Sequence, residues 1–368
     1  MVSDSSSSQS ALLFIPDITG FTGFISDRDF QHGQHIMAEL LEVLIEANQL
    51  NLKVNEVEGD AVFFYRTGEA PGIKELINQS EKMYVAFHSH LKKYGVSRIC
   101  NCPTCRSASR LTLKFVAHYG GVSFHHIKEH HKLFGTDVIL VHRLLKNNVP
   151  EQEYLLVTDS VLANHSTLPE GNQMQWQSGS ENYDLGEVKY YYSSLQKWYE
   201  KVPEPEIPEV IIYRSKDPLR HSIEIDAPVE IVYDSLTDLG QRKNYMVGVN
   251  AVVIKDQETN RLNRICTTFK CAMEHEQCTF ETSGVEFGDS RVSFTETFKE
   301  QPMTFEYVIE RKNGKATVSI FIHQLLKFPM NWVFNLFMKR KLISQTNQTL
   351  HRLKKYCEEK QQFTEKPL

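Results

Sequence analysis

Three prolines within six residues interrupt the chain just past its middle, in VPEPEIPEV at 202–210. Pro203, Pro205 and Pro208 each lack a backbone donor and hold φ near about −65°. Neither a regular helix nor a central strand can run through them. With 368 residues, the chain is long enough for a separate core on each side of this break. The expected organisation is a disordered tail at 1–10, a first domain at 11–199, a Pro-rich linker at 200–217, a second domain at 218–360 and a tail at 361–368.

Charge and cysteine usage narrow the class. A net charge of −5 and a pI near 6.3 argue against nucleic acid as a partner, since such binders usually carry a basic stripe. No apolar run reaches the roughly 18 residues that a membrane span needs. MVSDSSSSQS has no basic and apolar regions of a signal peptide. Seven cysteines, an odd number unevenly placed, read as reduced thiols or metal ligands rather than a disulfide frame. A cytoplasmic protein is expected.

Periodicity places the elements. In the first domain Leu12–Ile15 reads as a buried strand, and 35–48 as a helix with Ile36, Leu40, Leu41, Leu44 and Ile45 on one face. Strands follow at about 51–57 and 60–66, then a helix at 72–94, a strand at 111–118 and a short helix at 138–145. The order β-α-β-β-α-β is that of the ferredoxin-like split βαβ fold, of the α+β class. In the second domain a strand, HSIEIDA, precedes a helix opened by Pro228. Strand-like runs lie at 250–255, 261–271, 276–285, 290–298, 303–311 and 315–324. A helix at 331–358 closes the chain, with Trp332, Leu336, Ile343, Leu350 and Cys357 close to one face.

The hairpin VNEVEGDAVFFY (54–65) crowds Glu56, Glu58 and Asp60 together. Like charges repel, so either these groups face water as an ordinary turn or something positive sits among them.

Four ordered segments carry a resemblance. FIPDITGFT (14–22), VNEVEGDAVFF (54–64), HYGGV (118–122) and KLFGTDVILVHRL (132–144) resemble the signatures of the class III nucleotidyl (adenylate/guanylate) cyclases. That resemblance implies a domain of about 185 residues in which Asp17, Asp60 and the carbonyl of Ile18 hold two magnesium or manganese ions. Two ions stabilise the attacking and leaving oxygens of an in-line displacement at phosphorus, and carboxylates suit hard cations. Taken singly, Asp17 also reads as a cap and Asp60 as a turn residue. The resemblance makes Glu56 and Lys132 the pair that reads the base. A glutamate accepts from N1 and N2 of guanine and a lysine donates to O6, which favours GTP; alternatively the two simply pair with each other. Arg143 takes the catalytic, phosphate-neutralising position. Ile139, four residues earlier and on the same helical face, replaces the family's ribose-orienting asparagine, and NHSTLPEG (164–171) has no phosphate-contacting lysine. Losing one preorganised contact costs ~10²–10³ in rate. The expectation is a purine-nucleotide-binding, cyclase-like signalling protein with weak or absent turnover. An active guanylate or adenylate cyclase releasing pyrophosphate is the first alternative, and a non-catalytic dimeric ligand-binding protein the second. The family's sites form between two such domains, which implies a head-to-tail homodimer.

ICNCPTCRS places Cys100, Cys102 and Cys105 at C-x-C-x2-C spacing. Three thiolates fill three corners of a structural zinc site, with His88, His90 or His118 as the fourth; the alternative is three thiols on a reduced loop. His125, His126, His130 and His131 read as a polar hairpin rather than a metal site. In the second domain Ala227, Pro228, Val232, Tyr233, Asp238 and Tyr245 resemble the opening of the START/polyketide-cyclase-like (SRPBCC) superfamily. That implies a helix-grip fold, a curved antiparallel sheet plus a long helix, around a cavity for a small hydrophobic ligand, unless side chains fill it. As a whole the chain resembles a bacterial family with this pairing of domains.

Overall fold

The computed structural model describes residues 8–20, 30–127, 130–163, 168–169, 174–184, 186–206, 209–254, 264–273 and 277–364. The outer parts of both expected tails, the end of FIPDITGFT, most of NHSTLPEG, Pro208 and the start of the expected strand at 261–271 lie outside the described residues. So do the side chains of His126, His130 and His131. Two compact units form: Met1–Gly95 with Cys102–Pro205, and Val96–Asn101 with Glu206–Leu368.

The first unit contains β1 (Gln9–Thr19), α1 (Phe30–Glu46), β2 (Lys53–Glu58), β3 (Ala61–Thr67), α2 (Ile73–Ser97), α3 (Pro103–Ser107), β4 (Thr112–Ile127), β5 (His130–Phe134), α4 (Thr136–Arg143), β6 (Tyr154–Thr158), α5 (Asp159–Leu162), β7 (Gln177–Tyr183) and β8 (Gly186–Ser194). The sheet order is β2-β3-β1-β4-β6-β8-β7, with β5 paired to β4. Its first four strands, all antiparallel neighbours, have the split βαβ order. β1 is central because Ala11–Ile15 is apolar throughout and fully buried. Ala11, Leu13 and Ile15 join Phe63, Val116, Leu140 and Val141 of α4, and Leu144 just past its end, in one core. The strand begins at Gln9, inside the expected tail. At the start of the expected linker, Gln196–Lys201 is a 3₁₀ turn that buries Trp198, with Val202 buried after it.

The second unit contains β9 (Leu219–Ile225), α6 (Val229–Thr237), β10 (Val249–Ile254), β11 (Thr268–Met273), β12 (Gln277–Phe287), β13 (Arg291–Phe298), β14 (Met303–Lys312), β15 (Lys315–Gln324), α7 (Met330–Val333) and α8 (Lys339–Thr364). Its seven strands run in the order β10-β11-β12-β13-β14-β15-β9, every pairing antiparallel. Asn313 and Gly314, both at positive φ, make the two-residue turn between β14 and β15. Val232, Tyr233 and Leu236 of α6 and Leu350, Leu353 and Cys357 of α8 share a core with Phe294, Ile309 and Val318 of the sheet. The end of the expected linker is part of this unit: Thr297 donates to the Ile211 carbonyl at 2.6 Å, and the Tyr213 amide donates to Thr304 at 3.0 Å.

The closing helix departs from expectation in its first half. A π-helical turn at Phe334–Met338 separates α7 from α8. An added residue per turn rotates the apolar stripe around the axis. Phe334 is buried instead, while Trp332 is 60% and Leu336 54% exposed. Leu350 and Cys357 pack as expected.

Candidate functional site

Asp17 stands near the end of β1, flanked by Ala61 of β3 and Lys114 of β4 in register. The β2–β3 turn is two residues long, with Gly59 at φ +61°, a conformation that favours glycine in such loops. The Ile18 amide donates to the Asp60 carbonyl at 2.9 Å, which ties the turn to β1. The two carboxylates feel each other: burial raises the Asp17 pKa, Lys114 opposes that rise, and the Asp60 charge adds to it.

Lys114 is the residue that sequence reasoning missed. Its Nζ lies 3.0 Å from Asp17 Oδ2 and donates to the Leu145 carbonyl at 3.0 Å. Asp17 is only 14% exposed at its side chain, so the ammonium supplies the positive charge that a buried carboxylate needs. No spacing rule links the two positions; they meet because β1 and β4 are neighbours. Among the described residues the Asp60 carboxylate has no ion-pair partner.

The other charged positions are paired as well. Lys132 of β5 lies 3.2 Å from Glu56 of β2. Arg143 forms a two-pronged ion pair with Asp184, in the β7–β8 turn. Glu58 faces His142 Nδ1 at 3.6 Å. The hairpin at 54–65 is thus neither a plain solvated turn nor an isolated acidic cluster, for Lys132 and His142 sit among its carboxylates. Glu56, Glu58 and His142 bring donor atoms within 4.8 Å of one another. Ile139 is 51% exposed on α4, so it sits at the surface and not in the core. Asp17, Asp60 and Ile18 come together at one end of the sheet, and Glu56, Lys132, His142 and Arg143 lie on the hairpin, β5 and α4.

Behind α4 runs a hydrogen-bonded chain that the sequence did not reveal. Asp137 Oδ1 lies 3.0 Å from His118 Nε2, and His118 Nδ1 lies 2.9 Å from Thr158 Oγ1 and 3.2 Å from Ser160 Oγ. The Gly121 amide donates to Asp137 Oδ2 at 2.7 Å. Gly120 permits this approach, since a Cβ there would lie 2.3 Å from the Asp137 carboxyl carbon. The His118 hydrogen bond holds the Asp137 carboxyl below its usual range, against the effect of burial and with help from Gly121.

The expected fourth zinc ligands are engaged elsewhere. His88 Nε2 lies 2.8 Å from Glu153, and His90 Nε2 lies 3.0 Å from Glu39. His118 belongs to the chain just described. The side chain that meets the cysteines is His32, in the first turn of α1: its Nδ1 lies 3.5 Å from Cys102 Sγ and 3.6 Å from Cys105 Sγ. The two sulfurs push the His32 pKa up to about 11. All seven cysteines are outside disulfides.

Comparison with known proteins gives the following. A family model described as "Protein of unknown function (DUF2652)" matches residues 37–154. An uncharacterized protein of Mycobacterium tuberculosis is 39% identical over 125 residues, covering 34% of this chain and 58% of that protein. The chain therefore spans little more than half the length of that relative. Among solved structures, the catalytic core of a rhodopsin-guanylyl cyclase in complex with ATPalphaS is 15% identical. It covers 51% of this chain and 97% of its own, with a TM-score of 0.35. An adenylyl cyclase from P. aeruginosa is 14% identical over 51% of this chain and 94% of its own, with a TM-score of 0.34.

Proposed function

We propose that the first unit binds a purine nucleoside triphosphate, with guanine favoured, and turns it over slowly or not at all. The Asp17–Lys114 pair carries this reading. A two-ion displacement needs both carboxylates available to cations, and one of them already has a cation at 3.0 Å. The residues as they stand therefore favour one bound ion over two while Lys114 keeps its place beside Asp17. They suit a nucleotide that arrives with its own magnesium, because such an ion is typically held by one or two carboxylates plus phosphates. Asp60 is the carboxylate available for it. Arg143 is engaged by Asp184, and Ile139 has no side-chain donor for a ribose, so the groups that would stabilise a transition state are also compromised.

Glu56 and Lys132 are the base-reading residues of this proposal, and they lie together on the rim of the hairpin. Val54, Val57, Phe134 and Ile139, each more than a third exposed, supply apolar surface on the same elements, in keeping with a head-to-tail homodimer that shares two sites. The second unit is assigned an SRPBCC-like role in binding a small hydrophobic ligand. Its antiparallel sheet, with α6 and α8 packed on one core, supports that assignment, and the setting of the whole is cytoplasmic signalling.

The test is a double charge reversal, Glu56→Lys with Lys132→Glu, read by binding of fluorescent GTP and ATP analogues to the full chain. It preserves an ion pair while inverting its polarity. If the pair reads the base, preference moves from GTP towards ATP, by about 10-fold or more for two exchanged hydrogen bonds. An unchanged preference would leave the pair a structural one, and no binding of either nucleotide by the wild-type chain would overturn the reading.

A further inference from the structure

We propose that His32, Cys102 and Cys105 of the first unit hold a structural zinc ion that fastens the start of α1 to α3. This goes beyond the nucleotide reading and does not depend on it.

Geometry supports the donor set. Zinc–sulfur and zinc–imidazole bonds of about 2.3 and 2.05 Å at a tetrahedral angle put nitrogen and sulfur about 3.6 Å apart. His32 Nδ1 lies 3.5 Å from one sulfur and 3.6 Å from the other. The donor atoms of His32, Cys102 and Cys105 are all within 4.8 Å of one another. Histidine with cysteine thiolates is an established donor combination for zinc, and thiolates select soft or borderline metals over magnesium.

The surroundings are those of a built site. Pro103 opens α3, and Cys102 caps it. The Cys105 amide donates to Cys102 Sγ at 3.3 Å, a bond that orients a sulfur ligand and stabilises its thiolate form. Cys105 is 2% exposed, which keeps the cluster from acting as a solvent-facing thiol loop. α1 and α3 are in contact, and a shared ligand set would bridge them across 70 to 73 positions of sequence. Closing so long a loop is where a metal clip contributes most, by restricting the unfolded chain.

The experiment is elemental analysis of the full chain purified without added metal. About one zinc per chain is expected, with iron and copper at background. Cadmium titration of the chelator-treated protein should give the charge-transfer absorbance of a thiolate-bound ion. His32→Ala and Cys105→Ser should weaken zinc by at least 10-fold, since loss of even an outer partner of a ligand typically costs 10–100-fold. Cys278→Ser, in the second unit, should leave zinc content unchanged. A wild-type chain that carries no metal and shows no cadmium absorbance would overturn the site. Zinc affinity unchanged in His32→Ala would overturn His32 as a ligand.

Discussion

At the residue scale, the chain answers nearly every charge it places in the candidate site with a partner from a distant strand or turn. Asp17 meets Lys114, Glu56 meets Lys132 and Arg143 meets Asp184. The sequence identifies Asp17, Asp60 and Arg143 because they stand in ordered motifs. It conceals Lys114, Asp184 and His32, whose importance comes only from the strand order and from the packing of α1. Asp137 is a further case, and it gives a pH prediction. Its pKa lies below the ordinary 3.8 in the folded chain, so its stabilising effect is fully present above that value and is lost as pH falls through the depressed one. Asp137→Asn should destabilise the first unit by about 1–3 kcal/mol at neutral pH. Urea unfolding should show that difference shrinking below about pH 4, and a difference that stays constant to pH 3 would contradict the His118–Asp137 assignment.

At the element scale, alternation and apolar runs made most strands readable, because half-buried and fully buried strands leave distinct patterns. The β7–β8 hairpin was not readable: QSGSENY alternates exposed and half-buried polar residues and carries no apolar run. The closing helix was only half readable, since the π-turn breaks the register between Trp332 and Leu350. In the second unit the element that most needs its partner is the turn at Leu239–Asn244. Its Arg242 is ion-paired with Glu296 of β13, both side chains 2% exposed, and also donates to the Leu236 carbonyl at 3.0 Å. Removing one member strands the other in the core. Arg242→Met alone should cost about 3–5 kcal/mol, whereas Arg242→Met with Glu296→Leu should recover most of it. Denaturant midpoints of the two variants check this, and equal losses in both would show that the pair is not the source.

At the scale of the whole molecule, a split βαβ unit and a seven-stranded antiparallel unit share one chain, and the proposed nucleotide chemistry belongs to the first. The strand order of that unit was legible as β-α-β-β-α-β, and its electrostatic state was not, since ion pairs between strands leave no spacing signature. That state is the basis on which slow or absent turnover is proposed. The most direct measurement is incubation of the purified full chain with manganese and each of ATP, GTP, CTP and UTP, followed by chromatography for cyclic products, alongside binding of a fluorescent GTP analogue. The account predicts saturable GTP binding that weakens in Asp60→Asn, with no accumulation of a cyclic nucleotide. Rapid formation of cyclic GMP that disappears in Asp60→Asn would contradict it, and would mean that Lys114 and Asp184 give way to the nucleotide.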